Sequence, residues 1–402
     1  MYLNCACSSG GGEGEWLFRS WPSMQARDRS APIARAGYHS NSNSSELKAV
    51  CRTACKEAMV LLEAGHTSSD AISRAISVLE NSPLTNAGRG SNLTLTGTVE
   101  CDASIMDSGG GFGAVGAASG VPNPISLALR LLQKSSEGCL PLGRVSPIVL
   151  VAEGAGAWAR QEGLNLCLPD DLITDRARSV YVDHKSRLDE ITAHPPVKKR
   201  KMPPIHNARI IIGKKTIIIE ISLQSVSEAP LDTVGAVCVD KRGGVAGGVS
   251  SGGISLKFPG RIGQAAVYGC GCWAERDAGP HSRAVASSTS GTGEYIIKTM
   301  LAREAALAAA EGQLHVAMRE KFLESRLLTG VEERLAGVIA VSLDHQGGVE
   351  FSWGHTTESM CIAYCSSAQT HNESGPTAFI SKLEAMDKIG KTVQTAGIAL
   401  HS

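Results

Sequence analysis

The sequence predicts an α/β protein built as a four-layer αββα sandwich, and three observations carry that expectation. Short apolar strands alternate with amphipathic helices along most of the chain, the order in which two sheets acquire helical covers. Gly is abundant at 44 residues while aromatics make up only 4%, a balance suited to tight turns and close backbone packing. Finally, 43% of the 402 residues are hydrophobic, enough for one large domain or two ordinary ones. The formal net charge is zero, so nothing global favours nucleic acid or a membrane surface. No apolar run reaches the ~18 residues of a membrane span.

Residues 1–35 are rich in Gly, Ser and Arg without period and read as a disordered tail. A helix is expected over 45–63, where Leu47, Val50, Cys51, Ala54, Ala58, Leu61 and Leu62 form one stripe and Gly65 can close the C-terminus. Thr67 and Asp70 have the spacing of a capping box, which starts a second helix running to about Leu79. Short strands and turns follow over 97–118, a helix over 123–132 and a buried strand over 147–152. From about 176 to 230 basic residues accumulate, and the segment reads as an exposed linker. Within it Lys198, Lys199, Arg200 and Lys201 follow two prolines, and the run reads either as a solvated loop patch or, the reading favoured, as a signal for a nuclear import receptor. The Ile-rich stretches of 208–223 read as strands despite their setting.

After Thr233 the pattern becomes strand (234–239), turn (240–244) and strand (245–250). A Gly-rich helical region is expected over 260–273, a strand over 284–290 and a long helix over 295–311. A closing hairpin over 335–343 and 349–353 and a strand over 361–366 complete the series. The twelve Cys lack zinc-finger spacing, and no basic stretch followed by an apolar one precedes them. Reduced thiols in the cytosol or nucleus are therefore expected.

The chemistry concentrates at Asp232-Thr233. With a three-residue turn at 241–243, paired positions across the hairpin sum to 484, and Thr233 falls opposite Ser251 on the same face of the sheet. Cβ atoms in such a pair lie roughly 4.5–5.5 Å apart. A hydroxyl so placed can attack the carbonyl of Asp232, shift the peptide to an ester and release a new N-terminus. The freed α-amine, with an ordinary pKa of about 7.7–8.0, can then act as general base for the same hydroxyl. Ser251 would orient it. Arg261 offers a bidentate fork matched to a carboxylate. The hydroxyls and amides of 287–294, ahead of a helix, suit an oxyanion hole.

These residues carry a resemblance. LDTVG at 231–235, VSSGG at 249–253, PGRIGQ at 259–264, YGCGCWAE at 268–275 and STSGTGE at 288–294 are similar to the type 2 asparaginase family of N-terminal nucleophile hydrolases. So are NAGRGSN at 86–92, ECDASIMD at 100–107 and SWGHTTESMC at 352–361. The likeness is closest to the branch of threonine endopeptidases that cut after Asp, and it covers about 36–175 and 230–375.

The resemblance implies a sandwich of the N-terminal nucleophile hydrolase type and a proenzyme cut between Asp232 and Thr233. Its α subunit would span 36–232 and its β subunit 233–402, catalysing with neither metal nor organic cofactor. By the same resemblance Thr233 is the nucleophile and Ser251 the hydroxyl beside it. Ser290 and Gly291 form the oxyanion hole, Asn86 lies near the nucleophile, and Arg261 binds a carboxylate. Gln264 stands where small-substrate asparaginases have an Asp that binds a free α-amine. The implied substrates are nuclear proteins with Asp at the cut, namely histone methyltransferases and a general transcription factor precursor. Residence in nucleus and cytoplasm and pairing of two αβ units are also implied. Two readings compete with this one: an asparaginase or isoaspartyl peptidase acting on small substrates, and an uncut scaffold that only binds partners. The stretch 31–37 lacks the family's apolar opening, so the first strand is expected to be truncated.

Overall fold

The computed structural model describes residues 33–37, 44–193, 233–278, 282–367, 375–383 and 386–400. Strand β1 (Ile33–Gly37) is the first described element and corrects the expected disordered tail at 33–35; the rest of that tail lies outside the described residues. It is short, yet it lies inside a sheet. All five of its residues pair with a later strand, and Ile33 and Ala34 also pair with Ala236 and Gly235.

Helices α1 (Ser44–Glu63) and α2 (Ser68–Glu80) fall where their apolar stripes require. Gly65 takes a left-handed φ of 88° after α1. The Thr67 hydroxyl accepts from the Asp70 amide and the Asp70 carboxylate accepts from the Thr67 amide, which completes the capping box.

Then come β2 (Cys101–Asp107), β3 (Phe112–Ala118) and α3 (Pro124–Ser136). Strand β4 (Val149–Val151) corrects the expectation of a buried strand. It has three residues, pairs in parallel with β3 at the sheet edge, and leaves Val149 and Val151 42% and 44% exposed. Helix α4 (Ala152–Gln161) follows.

The expected linker from 176 is a second correction, because it begins with α5 (Asp175–Ala193). That helix buries little, but Lys185–Asp189 and Arg187–Asp183 pair along its surface at i,i+4. The Tyr181 ring rests on Gly97 and its hydroxyl donates to the Leu95 carbonyl at 3.3 Å. The rest of the linker lies outside the described residues, together with its basic run, its Ile-rich stretches and Asp232.

Strands β5 (Val234–Val239) and β6 (Val245–Ser251) form the expected hairpin, with Val234 opposite Ser250 and Val239 opposite Val245. Gly243 takes a φ of 76°, as the three-residue loop demands. Asp240 locks this turn: its carboxylate accepts from the amides of Arg242, Gly244 and Ser68, and so joins the hairpin to the first turn of α2. At the same tip Lys241 and Arg242 donate to the Glu63 and Gly65 carbonyls, placing positive charge at the C-terminus of α1.

The region 260–273 is not helical; it holds one 3-10 turn at Gln264–Ala266 and the start of β7 (Cys272–Arg276). Side chains claim its amides instead. Glu100 accepts from Gly260 N and Asp102 from Gly263 N, both at 2.8 Å. Strand β8 (Ala284–Gly291) is followed by two helices in place of one, α6 (Gly293–Thr299) and α7 (Leu301–Ala310). Met300 between them is left-handed, and Gly269 O accepts from the Arg303 amide to cap the restarted helix.

Strands β9 (Ala336–Leu343) and β10 (Val349–His355) pair as the expected hairpin, and β11 (Ser359–Tyr364) crosses to the other sheet. The C-terminal stretch adds β12 (Thr377–Lys382) and β13 (Gln394–Leu400).

The strands form two sheets. One has the order β12-β11-β1-β5-β6-β2-β3-β4 and the other β13-β10-β9-β8-β7. Their inner faces meet through Val237, Val249, Ala274, Ala286, Ile339 and Phe351. Helices α1, α2 and α3 cover the outer face of the first sheet and α7 that of the second, which gives the αββα sandwich. Among the described residues no helix is long and apolar enough to cross a membrane.

Candidate active site

Thr233 stands immediately before β5, and the hairpin register continues past Val234–Ser250 to bring it opposite Ser251. The two hydroxyl oxygens are 2.9 Å apart. Ser251 Oγ also accepts from the Gly253 amide at 3.0 Å, which fixes its rotamer and leaves its proton free to point at Thr233. Thr233 is 5% exposed and Ser251 and Gln264 are equally buried. Gln264 Nε2 makes a long 3.5 Å contact to Thr233 Oγ1. Among the described residues both hydrogen-bonding neighbours of this hydroxyl are neutral, so no side-chain base is in place to take its proton.

Close sheet packing builds the wall beside Thr233. A methyl on Gly235 would fall inside the Ser288 hydroxyl, and one on Gly247 would meet the carbonyls of Ser287 and Trp273. Ser288 Oγ donates to Gly248 O at 2.9 Å. Ser287 thus stands at the level of Gly247 and Ser288 at that of Gly248, so β8 advances beside β6 in the same direction. That advance carries Ser290 to the Ser251 end of the hairpin. Ser290 is 1% exposed, and its hydroxyl has no hydrogen-bond partner among the described residues. A buried hydroxyl left so costs about 1–3 kcal/mol, and Ser250 Oγ shares this status. Gly291 has a φ of 136°, and a Cβ there would strike Leu335 O, so only Gly fits.

Asn86 reaches Thr233 indirectly. Its Nδ2 donates to Gly253 O at 2.8 Å, its Oδ1 accepts from Asn92 N, and its own carbonyl accepts from Gly252 N. Asn92 Nδ2 donates to the same Gly253 carbonyl. The 86–92 loop therefore clamps the turn that holds Ser251.

Arg261 is 14% exposed on its side chain and lies beside that turn. A Cβ on Gly253 would be 2.9 Å from its Nη1 and 3.4 Å from Lys257 Nζ, so two cations converge on Gly253. Lys257 is buried, with its ammonium donating to Glu100 O at 2.6 Å. Asp102 accepts from Ala117 N and Gly263 N, both at 2.8 Å, and pins the Arg261–Gln264 loop to the sheet. Burial pushes the Asp102 carboxyl up, against the pull of the Lys257 charge.

Of the residues that the sequence singled out, Thr233, Ser251, Gln264, Asn86 and Arg261 lie together at one end of the β5–β6 hairpin, while Asp232 lies outside the described residues. Lys257 and Asp102 belong to that end as well, although the sequence reading gave them no role. Asp102 sits inside the motif at 100–107 and Lys257 between those at 249–253 and 259–264, and a Lys or Asp in a predominantly apolar or Gly-rich stretch is the signal that could have found them. Among the described residues no cluster of His, Cys, Asp or Glu is arranged to hold a metal.

Residues 32–373 match the profile of the family described as Asparaginase (Asparaginase_2). The chain is 29% identical over 338 residues to an isoaspartyl peptidase/L-asparaginase of Danio rerio, covering 83% of this chain and 90% of that protein. It is 31% identical over 308 residues to a putative isoaspartyl peptidase/L-asparaginase of Dictyostelium discoideum, covering 76% and 82%. An isoaspartyl peptidase of Salmonella typhimurium is 32% identical over 296 residues, covering 72% and 78%.

Proposed function

The chain belongs to the asparaginase family of N-terminal nucleophile hydrolases, and from that premise we propose that it is a threonine hydrolase that first cuts its own Asp232–Thr233 bond. The observation that carries this reading is the neutral surrounding of Thr233 Oγ1, a buried hydroxyl hydrogen-bonded to Ser251 and touched by Gln264. A nucleophile without a side-chain base needs one from elsewhere, and cleavage supplies it as the α-amine of Thr233 itself.

In the first step Thr233 Oγ1 attacks the Asp232 carbonyl carbon. The C–N bond breaks, the nitrogen takes a proton, and the chain is held as an ester. Water then hydrolyses the ester, leaving the Asp232 carboxylate and a free Thr233 with both hydroxyl and amine. In the second reaction the amine takes the hydroxyl proton while Oγ1 attacks a substrate carbonyl. Ser290 Oγ and the Gly291 backbone receive the oxyanion. The leaving amine departs with the proton, and water, deprotonated by the Thr233 amine, releases the acid.

For substrate we favour an internal peptide with Asp at the cut, the specificity of threonine aspartase (taspase), acting on nuclear proteins such as histone methyltransferase and general transcription factor precursors. Gln264 supports this choice: a neutral amide beside Thr233 suits a peptide nitrogen, whereas an Asp there would suit a free α-amine. Arg261 and Lys257 supply the positive charge for the Asp side chain. Residence in nucleus and cytoplasm, import through Lys198, Lys199, Arg200 and Lys201, and pairing of two αβ units complete the proposal.

The names of the relatives favour a second reading, an isoaspartyl peptidase or asparaginase. The two separate when purified protein is given an internal Asp-Gly peptide, a β-aspartyl dipeptide and free asparagine. We expect the highest kcat/KM on the internal peptide. Turnover of the two small substrates alone would establish the second reading in its place.

A further inference from the structure

Arg261 is held from behind by a residue to which no role has been given so far. Its Nε and Nη2 both donate to one oxygen of Glu294, at 2.8 and 2.6 Å. The opposite corner, Nη1, is the one that lies against Gly253 and Gly263, 2.9 and 3.0 Å from where a Cβ on each would stand. Glu294 is the second residue of α6, and its side chain is 49% exposed. Gly293 before it is packed against the same group: a Cβ there would lie 3.0 Å from Arg261 Nη2 and 2.7 Å from Gln264 Oε1.

An arginine has several low-energy rotamers, and a long side chain at a site's edge loses affinity when it must be ordered on binding. Two N–H bonds converging on a single carboxylate oxygen remove that freedom beforehand. They also use only the Nε and Nη2 hydrogens of that edge and leave Nη1 available. The exposed position of Glu294 means that little desolvation opposes the pair.

From this geometry we infer that Glu294 is a positioning residue for specificity: it fixes Arg261 with Nη1 facing the substrate carboxylate at Gly253. Gly293 leaves the room that Arg261 and Gln264 need to sit side by side. The inference rests on the reading of Arg261 as the substrate's carboxylate anchor. Glu294 acts through hydrogen bonds and reach rather than through its charge, so the three kinds of substitution separate. Glu294→Gln keeps an oxygen that can accept both N–H groups, Glu294→Ala removes it, and Glu294→Asp keeps the charge but withdraws it by one methylene.

The test measures kcat and KM on two peptides that differ only in Asp or Asn at the cut, with processing checked by intact mass. The expected result is a loss of the Asp-over-Asn preference in KM by roughly tenfold or more in E294A, the size of a lost charge-assisted hydrogen bond. E294Q should retain most of the preference and E294D should lose it as E294A does. Should E294A fail to fold or process, the contrast between E294D and E294Q carries the same decision. An unmoved preference in E294A and E294D would overturn the inference. So would an equal loss in E294Q and E294D, or a gain in preference on removing the carboxylate. A wild type that shows no preference for Asp would overturn Arg261 as the anchor and the role of Glu294 with it, a result distinct from loss of preference in the variants alone.

Discussion

At the scale of single residues the account turns on two hydroxyls and the amine between proenzyme and enzyme. Thr233 and Ser251 were legible in the sequence because hairpin pairing is arithmetic: a three-residue loop sets the sum of paired positions, and one assumption yields the partner. Ser251→Ala removes the oriented hydrogen bond and is expected to lower kcat by roughly 10–100-fold with a smaller effect on KM. The amine makes a pH prediction: kcat/KM on a peptide should rise through pH of about 7–8 and then level, as an α-amine base loses its proton. A profile set by a carboxylate, rising near pH 4–5, would contradict it. The 287–294 stretch could be read from its place before a helix and Ser290 was named only by resemblance, but its orphaned hydroxyl was not legible, since only packing leaves a buried group unpartnered.

At the scale of elements, local chemistry decided which expectations held. Capping boxes and loop glycines act within a few residues, so α2 and the β5–β6 turn were readable. The region 260–273 misled because Glu100 and Asp102, more than 150 positions earlier in the chain, take the Gly260 and Gly263 amides a helix would have used. The break at Met300 has the same character, depending on Gly269 O from a distant loop. Inserting one Gly between Arg242 and Gly243 is expected to shift the register, part Thr233 from Ser251 and abolish processing while leaving the far-ultraviolet dichroism native-like.

Helices α2 and α3 carry a pH prediction. Glu80 at the end of α2 accepts from the Ile125 amide in the first turn of α3 and from Asn123. Burial raises its pKa from 4.5 to about 8, opposed by the Ser250 hydroxyl first and then by those two hydrogen bonds. A raised folded pKa means that the folded state binds the extra proton. Its contribution to stability is whole below pH 4.5 and is lost as pH climbs through about 8. Glu80→Gln should therefore narrow the fall in Tm between pH 5 and 8.5; an unchanged fall would contradict the assignment.

At the scale of the molecule, two sheets are pressed so closely that Gly lies where their backbones approach, and the candidate site lies at one end of the β5–β6 hairpin beside that seam. His355 on β10 ties the sheets together, donating from Nδ1 to Thr357 O and accepting at Nε2 from Ser381 on β12, both at 2.9 Å. Burial lowers its pKa from 6.5 to about 4. With the folded pKa depressed, the neutral ring's contribution is present above pH 6.5 and is lost as pH falls toward 4, by up to about 3 kcal/mol. The acid limb of the Tm profile should flatten in His355→Gln. The sandwich was legible as an order of strands and helices, but the C-terminal strands that complete an edge of each sheet were not, because an edge strand's partner is a tertiary fact.

The measurement that bears most directly on the central claim is the intact mass of the purified full-length protein beside its Thr233→Val variant. The account predicts two chains from the wild type, residues 1–232 and 233–402, whose masses sum to that of the uncut chain plus one water. It predicts one uncut chain from the variant, because valine keeps the shape of threonine and lacks the nucleophile. A wild type that stays a single chain, or a variant that is cut at the same bond, would contradict it.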